Sequence, residues 1–326
     1  MIYDGHCHVA STDFIPDAFI GDVAVGMRRR LHAVAAGPPL DRLHESYRAQ
    51  HRDHDADRLV AEMDAAGVAR AVLMVPDFGM VMPGRLDLAE MARRHHEIRL
   101  RHPGRFWVYL GADPRRGAAG ADAFAELVDR YAFDGMKLYP PCGYSPSDPS
   151  LYPYYEVCRS RSLPVFVHTG PTAHSLMFTT SEAILVDRAA RDFPDVPFVL
   201  GHGGVTDVEV SSYLAAHRPN VYLDTGGFAG SPLVGGWPAH LNRLFRLGIN
   251  HKIIFGTDWP LNQLTGGLQR LVGAVCDGDE VFAGVSRRDR ELILWENLLR
   301  VLSPRSAAAA GPPPARRGRP ASGVTT

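Results

Sequence analysis

The sequence has few cysteines, and they do not form close pairs. Its four cysteines, Cys7, Cys142, Cys158 and Cys276, are scattered over 326 residues without a CxxC pair. Isolated cysteines of this kind are typical of reduced thiols in a cytoplasmic protein rather than of a disulfide framework. Residues 1–11 also lack the charged n-region and the apolar h-region of a signal peptide. We therefore expect a cytoplasmic protein.

The sequence also lacks an excess of charge and any long apolar run. Its 35 Lys and Arg residues balance 36 Asp and Glu residues, which gives a formal net charge of −1. A chain without surplus positive charge has no electrostatic basis for binding nucleic acid or an anionic membrane. Because no apolar run approaches the length of a bilayer span, we also expect no membrane partner. We predict a small-molecule substrate as the partner, and the composition is compatible with a homodimer.

Short apolar runs alternate regularly with longer amphipathic segments along the chain. The eight strand candidates are 2–8, 69–75, 105–111, 133–139, 163–168, 196–202, 220–225 and 251–257. The helix candidates between them are 55–67, 88–104, 121–131, 150–162, 181–193, 207–217, 237–248 and 263–275. This alternation predicts an α/β fold, a (β/α)8 TIM barrel. An open doubly wound sheet is the main alternative, but the Gly-rich turn that usually follows its first strand is missing.

Two segments fall outside this alternation, and we assign the barrel domain to residues 1–302. Residues 10–54 form an insertion after the first strand, rich in Arg, His and Pro and with little periodicity. Since segments that follow barrel strands lie at the C-terminal mouth, we expect this insertion to form a lid. Residues 303–326 are a low-complexity Pro/Ala/Arg segment, which predicts a disordered tail.

Potential metal ligands stand near the ends of several strand candidates. Those at the ends of the first, fourth, fifth, sixth and eighth candidates are His6, His8, Lys137, His168, His202 and Asp258. His6 and His8 are two residues apart, so on a strand both imidazoles face the same side. Alone, this HxH pair is weak evidence, because a surface-facing histidine pair or the end of a His-rich tail is the more common origin of such a motif. Because the strand ends of a barrel meet at one mouth, the joint placement favours a metal site.

Histidines at other places carry less information. His44, His51, His54, His95, His96, His102, His217 and His251 fall on helices, on the insertion or at strand starts. We interpret all of these as solvent-exposed.

Phrases around these residues resemble a known family of enzymes. They are "PVFVHTG" (164–170), "FVLGHGG" (198–204), "NVYLDTGG" (220–227) and "IIFGTDWP" (253–260). Together with the HxH pair they resemble the amidohydrolase superfamily of metal-dependent barrels. The similarity is greatest to the amidohydrolase-2 branch, which includes aminocarboxymuconate-semialdehyde decarboxylase and related hydrolases. The resemblance covers roughly residues 1–302.

The ligand set of three imidazoles and one carboxylate, from His6, His8, His168 and Asp258, suits Zn²⁺, and Mn²⁺ or Fe²⁺ fit nearly as well. A bound Zn²⁺ lowers the pKa of its water to about 7, which makes a nucleophile at neutral pH. As in the family, Asp258 would both bind the metal and take the proton of that water. His202 would polarise the substrate carbonyl or stabilise developing negative charge.

Lys137 leaves the number of metal ions open. The resemblance is greatest to the single-metal branch, so we favour one ion. In superfamily members with two metals, a strand-four lysine carries a carbamate that bridges both ions, and His202 joins the second ion. Lys137 would then be a metal ligand. Alternatively, its ammonium group anchors a substrate carboxylate or pairs with Asp258.

Side chains around the predicted mouth are candidates for substrate binding. They are Tyr139, Tyr144, Thr169, His174 and Trp259. The alternative for the aromatic residues is that they pack the Pro-rich loop 139–153. Asp224 could hold a metal ligand through a hydrogen bond, although a structural role is the stronger expectation.

The leading functional hypothesis is a metal-dependent hydrolase of a C–N or C–O bond in an amide, lactam, lactone or ester. The alternative is a non-oxidative decarboxylase of an aromatic or unsaturated carboxylic acid. The family's decarboxylases generally lack the strand-four lysine, so Lys137 favours hydrolysis. A third hypothesis is an inactive barrel that serves as a binding module, but the complete ligand set argues against it.

Overall fold

Eight parallel strands in sequential order form the centre of the computed structural model, which describes residues 1–32, 37–230, 236–261 and 266–302. The strands are β1 (Tyr3–Cys7), β2 (Arg70–Val75), β3 (Phe106–Ala112), β4 (Gly135–Leu138), β5 (Val165–His168), β6 (Phe198–Gly201), β7 (Val221–Asp224) and β8 (Ile253–Ile254). The amide of Gly5 donates to the carbonyl of Phe255 at 2.8 Å, and Cys7 forms a parallel bridge with Trp259, which brings β8 back to β1. The predicted (β/α)8 barrel is confirmed.

Helices follow the strands, most of them around the outside of the barrel. They are α1 (Asp17–His32), α2 (Leu40–Gln50), α3 (Asp57–Ala66), α4 (Leu88–Arg101), α5 (Gly117–Tyr131), α6 (Tyr152–Arg161), α7 (Asp187–Asp192), α8 (Val208–His217), α9 (Trp237–Phe245), α10 (Gly267–Cys276), α11 (Arg287–Glu291) and α12 (Asn297–Val301), with a π-helix at Leu292–Glu296. The local sequence explains where several of these helices begin or end. At α4 a capping box forms between Asp87 and Glu90, and α3 ends at Gly67, whose φ of 73° is left-handed. No helix in these described ranges is long and apolar enough to cross a membrane.

The inside of the barrel is filled by large apolar side chains. Val72 and Met74 on β2 point inward, whereas Leu73 between them packs in the outer core against the helices. Trp107 fills the interior beside Tyr3, with ring centroids 5.4 Å apart in an edge-to-face arrangement. This packing fills the interior, so access for a ligand is at the strand ends.

The insertion at residues 10–54 is more regular than its sequence suggests. It contains α1 and α2, although we expected little periodicity there. The two helices bury few residues, Ile20 and Ala24 on α1 and Leu43 and Tyr47 on α2, so their apolar periodicity is weak. The predicted tail at 303–326 lies outside the described residues.

The expectation that His95 is exposed is wrong. His95 is 1% exposed on the inner face of α4, and its Nδ1 lies 2.7 Å from the carbonyl oxygen of Met91. Its ring packs against Phe14 of the insertion, with centroids 4.4 Å apart. An intrahelical hydrogen bond to the backbone allows a histidine to occupy a core position that its polarity disfavours.

Candidate metal centre

One histidine on β1, a second directly after it and one aspartate after β8 converge at the mouth of the barrel. Nε2 of His6 lies 3.2 Å, and Nε2 of His8 3.3 Å, from the same oxygen, Oδ1 of Asp258. The ligand atoms of these three residues all lie within 4.8 Å of one another. The backbone brings them together, because the Asp258 amide donates to the His6 carbonyl at 2.7 Å across the closing strands.

The hydrogen-bond partner of Nδ1 determines which nitrogen of each imidazole carries the proton. Nδ1 of His6 lies 2.8 Å from the carboxylate of Asp224, and Nδ1 of His8 lies 3.2 Å from the carbonyl of Met74. Both partners accept hydrogen bonds, so each Nδ1 is the protonated nitrogen and each Nε2 presents a lone pair. The two lone pairs therefore point at a carboxylate oxygen. Nε2 of His6 has no hydrogen-bond partner among the described residues. A cation between these atoms would resolve the repulsion, and the donor set fits a divalent metal.

His202 and His168 form a second pair beside the first group. Nε2 of His202 lies 3.2 Å from Nδ1 of His168. The other nitrogens face backbone carbonyls, Nδ1 of His202 at 2.8 Å from Gly226 and Nε2 of His168 at 3.1 Å from Pro171. These carbonyls place the protons on the outer nitrogens, so the facing atoms both carry lone pairs. Such a pair calls for a cation or a donor group from a ligand, and His168 stays a predicted metal ligand.

Burial sets the charge of these groups. It lowers the pKa values of His6 and His168 well below the usual range and that of His202 to about 4, so the imidazoles are neutral. Burial by itself raises the pKa of Asp258, but the electrostatic effect of the histidines around it, His6 first, holds that pKa well below its usual range wherever they carry a proton. Burial raises the pKa of Asp224 to about 6. Neutral imidazoles and a carboxylate are the forms that bind metal.

Two of the predicted catalytic residues adopt a rare backbone conformation. His202 has a φ of 60° and Asp258 a φ of 58°, both in the left-handed region that most residues avoid. Hydrogen bonds hold these turns: the amide of His202 donates to Asp224 at 3.2 Å, and that of Leu261 to the Asp258 carbonyl at 2.9 Å. Strain of this type concentrates at functional sites.

Lys137 lies deep in the barrel beneath these residues. It is 1% exposed, its Nζ stands 4.2 Å from the centre of the Phe166 ring, and this atom has no hydrogen-bond partner in the described ranges. Burial lowers the pKa of its ammonium group to about 7, against the opposing effect of Asp258 and Asp224. The structure therefore places Lys137 near the metal ligands, and its proposed carbamate stays a prediction.

A cavity of about 420 Å³ opens above the convergent ligands. His8, His168, His202 and Asp258 line its floor, and residues of α1 and α2 from the insertion line its outer side. The insertion thus covers the mouth. No residue-level pattern in the sequence indicates these insertion contacts, apart from the position of the segment after β1.

The predicted substrate contacts separate into two groups. Tyr139 and His174 line the cavity. Tyr144, Thr169 and Trp259 lie behind its wall, where their polar atoms have internal partners. The Tyr144 hydroxyl accepts from the amide of Tyr139 at 2.8 Å, Thr169 donates to Gly201 at 2.6 Å, and Trp259 donates to Glu62 at 3.1 Å.

Comparison with known proteins agrees with this architecture. A model of the Amidohydrolase family (Amidohydro_2) matches residues 3–303. Among curated proteins, none matches the chain in sequence.

Many solved structures share the fold, including the following three. An uncharacterised TIM-barrel protein from Bordetella bronchiseptica is 21% identical, with a TM-score of 0.67 over 95% of this chain and 99% of that chain. A dihydroxybenzoic acid decarboxylase from Polaromonas sp., with bound manganese and the inhibitor 2-nitroresorcinol, is 17% identical. Its TM-score is 0.60 over 91% of this chain and 96% of that chain. A probable 2-pyrone-4,6-dicarboxylic acid hydrolase from Acinetobacter baumannii is 14% identical, with a TM-score of 0.58 over 92% of this chain and 98% of that chain.

Proposed function

Because the chain belongs to the Amidohydrolase family of enzymes, we propose that it is a metal-dependent hydrolase of a C–N or C–O bond in an amide, lactam, lactone or ester. The observation that carries this proposal is the convergence of the Nε2 lone pairs of His6 and His8 on Oδ1 of Asp258, at 3.2 and 3.3 Å. We propose one divalent ion there, Zn²⁺ in the first place, with Mn²⁺ or Fe²⁺ as alternatives.

The residues of the chain divide the work of hydrolysis between them. A bound divalent cation supplies polarisation of a carbonyl and a water of lowered pKa. Asp258, ionised and at the cavity floor, accepts the proton of the water that adds to the carbonyl carbon. It returns that proton to the leaving nitrogen or oxygen as the C–N or C–O bond breaks.

The tautomer of His202 favours a role different from the one its sequence position predicts. Its Nδ1 is held by the Gly226 carbonyl at 2.8 Å, so Nε2 presents a lone pair to the cavity. A neutral acceptor cannot stabilise negative charge on a substrate oxygen. We assign His202 to accepting a hydrogen bond from a substrate hydroxyl, amide or attacking water.

Decarboxylation of an aromatic or unsaturated carboxylic acid is the second candidate. The fold shared with the manganese-bound dihydroxybenzoic acid decarboxylase favours it. Lys137 on β4 favours hydrolysis, since the decarboxylases that the sequence resembles generally lack a lysine at this position.

Metal analysis combined with a substrate panel tests the proposal. We expect about one divalent ion per chain, and metal-dependent turnover of a lactone, ester or amide in a panel that also contains aromatic carboxylic acids. His6→Ala should lose metal and activity together, whereas Asp258→Asn should keep part of the metal and lose about 10²–10⁴-fold in kcat. The exposed His217 provides the matched control, and His217→Ala should retain both.

The outcomes separate the candidates. Release of CO₂ from a carboxylic acid without hydrolysis of any panel member would establish the decarboxylase. Full activity after complete removal of metal would exclude both metal-dependent reactions. Bound metal without turnover of any compound would favour a binding module.

A further inference from the structure

An aromatic wall runs from the metal-side histidines to the lid. The ring of Tyr139 packs on His168 with centroids 4.3 Å apart, and Phe78 packs on Tyr139 at 4.9 Å. Phe19 of α1 continues the row, 5.0 Å from Phe78. These aromatic side chains all line the cavity, so a ligand bound at its floor lies along them.

The rest of the lining is mostly apolar, although polar side chains from α2, from His51 and from the loop after β5 also reach it. Aliphatic side chains from the insertion and from the loops after β6 and β8 contribute most of this apolar surface. They are Ile15, Ile20, Val23, Val205 and Leu261. A cavity lined in this way gains free energy by burying an apolar body of similar size.

Charged groups away from the floor are few, and none of them is a buried cation. Apart from Asp258, the described lining residues with a full charge are Asp22 and Arg30. Asp22 is bound by His174, whose Nδ1 lies 3.1 Å from Oδ1, and by the hydroxyl of Ser175. Arg30 is exposed near the end of α1. A substrate anion against this wall would therefore lose its hydration without gaining a buried cationic partner.

We infer that the site selects a substrate with a bulky apolar or aromatic body attached to the scissile carbonyl and with no second anionic group. This inference rests on the proposed function, because it places the reacting group at the metal. It separates the chain from an enzyme for small dicarboxylates. Phe19, Phe78 and Tyr139 are then specificity-determining residues.

Three hydroxamic acids with the same metal-binding head test the inference by calorimetry on the metal-loaded protein. Benzohydroxamic acid should bind at least about tenfold more tightly than acetohydroxamic acid, since its ring lies on the aromatic wall. 4-Carboxybenzohydroxamic acid adds one anion to the same ring and should bind about tenfold more weakly than benzohydroxamic acid. If the carboxylated compound binds as tightly as benzohydroxamic acid or more tightly, the inference is overturned, and this outcome needs no variant.

Variants locate the effect in the cavity. Phe19→Ala should remove most of the advantage of benzohydroxamic acid over acetohydroxamic acid. Phe178→Ala, at a half-exposed position outside the cavity, should retain it. Val23→Arg places a cation in the lining and should improve binding of the carboxylated compound by about tenfold. The assigned wall would be contradicted if Phe19→Ala kept the parental ratio of benzohydroxamic to acetohydroxamic acid affinity and Val23→Arg kept the parental affinity for the carboxylated compound.

Turnover separates this inference from the proposed function. Dihydrocoumarin, a neutral aromatic lactone, should be hydrolysed with a kcat/KM at least about tenfold above that of 2-pyrone-4,6-dicarboxylate. A preference for the dicarboxylate would overturn the inference and leave hydrolysis in place. Failure of all three hydroxamic acids to bind would overturn the metal site, and the inference with it.

Discussion

Nδ1 of His6 lies 2.8 Å from Oδ2 of Asp224, which joins β1 to β7 beneath the proposed metal site. These strands are not neighbours, because β8 lies between them. The same carboxylate oxygen accepts the amide of His202 at 3.2 Å. Asp224 therefore orients one predicted metal ligand and holds the strained turn of a second predicted site residue.

Substitution of Asp224 should weaken metal binding, although this residue is not a predicted ligand. Asp224→Ala removes the acceptor that keeps the proton on Nδ1 of His6, and we expect about 10–100-fold lower metal affinity. Asp224→Asn keeps an acceptor without the charge and should lose less. Competition with a fluorescent chelator measures both, with the exposed Asp122→Asn as control. Parental affinity in Asp224→Ala would exclude this role.

Gly256 lies against the same pair, and a side chain there should displace it. A Cβ atom on Gly256 would stand 1.9 Å from Oδ1 of Asp224 and 2.9 Å from Cβ of His6. We expect Gly256→Ala to lose metal and to lower the free energy of unfolding by about 1–3 kcal/mol. On α10, Gly273 has nothing within 4 Å of such an atom, so Gly273→Ala should keep the metal and gain up to about 1 kcal/mol. Metal content and chemical unfolding of both variants check this, and similar behaviour of the two would contradict it.

For Lys137 we expect one metal ion per chain, unchanged by bicarbonate. Burial lowers the pKa of this ammonium group to about 7, while the Phe166 ring at 4.2 Å and the nearby charges of Asp258 and Asp224 oppose that shift and favour the ammonium form. Elemental analysis of protein loaded with and without bicarbonate measures the stoichiometry. Two ions that appear with bicarbonate and disappear in Lys137→Met would establish the carbamate instead.

His95 should make the fold sensitive to acid. Burial lowers its pKa to about 4 in the folded chain, whereas a histidine in the unfolded chain titrates near 6.5. Between these values the unfolded chain binds a proton that the folded chain does not, so stability is full above pH 6.5 and is lost as the pH falls toward 4. The contribution of this group to the free energy of unfolding amounts to about 3 kcal/mol.

The matched comparison for His95 uses chemical unfolding at several pH values between 4 and 7. Relative to the parent protein, His95→Leu should show a smaller loss of stability on acidification. His251→Leu, at an exposed position, should follow the parent. Parallel curves for His95→Leu and the parent would show that His95 does not cause the acid sensitivity.

The amino-acid sequence by itself determined the barrel and the approximate location of its chemistry. Strand and helix periodicity are local properties, and eight alternations leave few ways to bury every apolar face. The spacing of His6 and His8 placed both imidazoles on one side of β1, and the structure brings both to Asp258. The sequence could place Tyr139 near the mouth, but it could not distinguish this residue from Tyr144, which packs behind the wall.

The tertiary structure alone decided which contacts complete the site. The hydrogen bond between His6 and Asp224 spans 218 positions in the chain. The aromatic wall from His168 to Phe19 brings together β5, the loops after β4 and β2, and the insertion. The burial of His95 depends on the insertion packing over α4. Such contacts are set by how separate elements pack against one another, and no local pattern records that packing, because each segment satisfies its own periodicity in any of several arrangements.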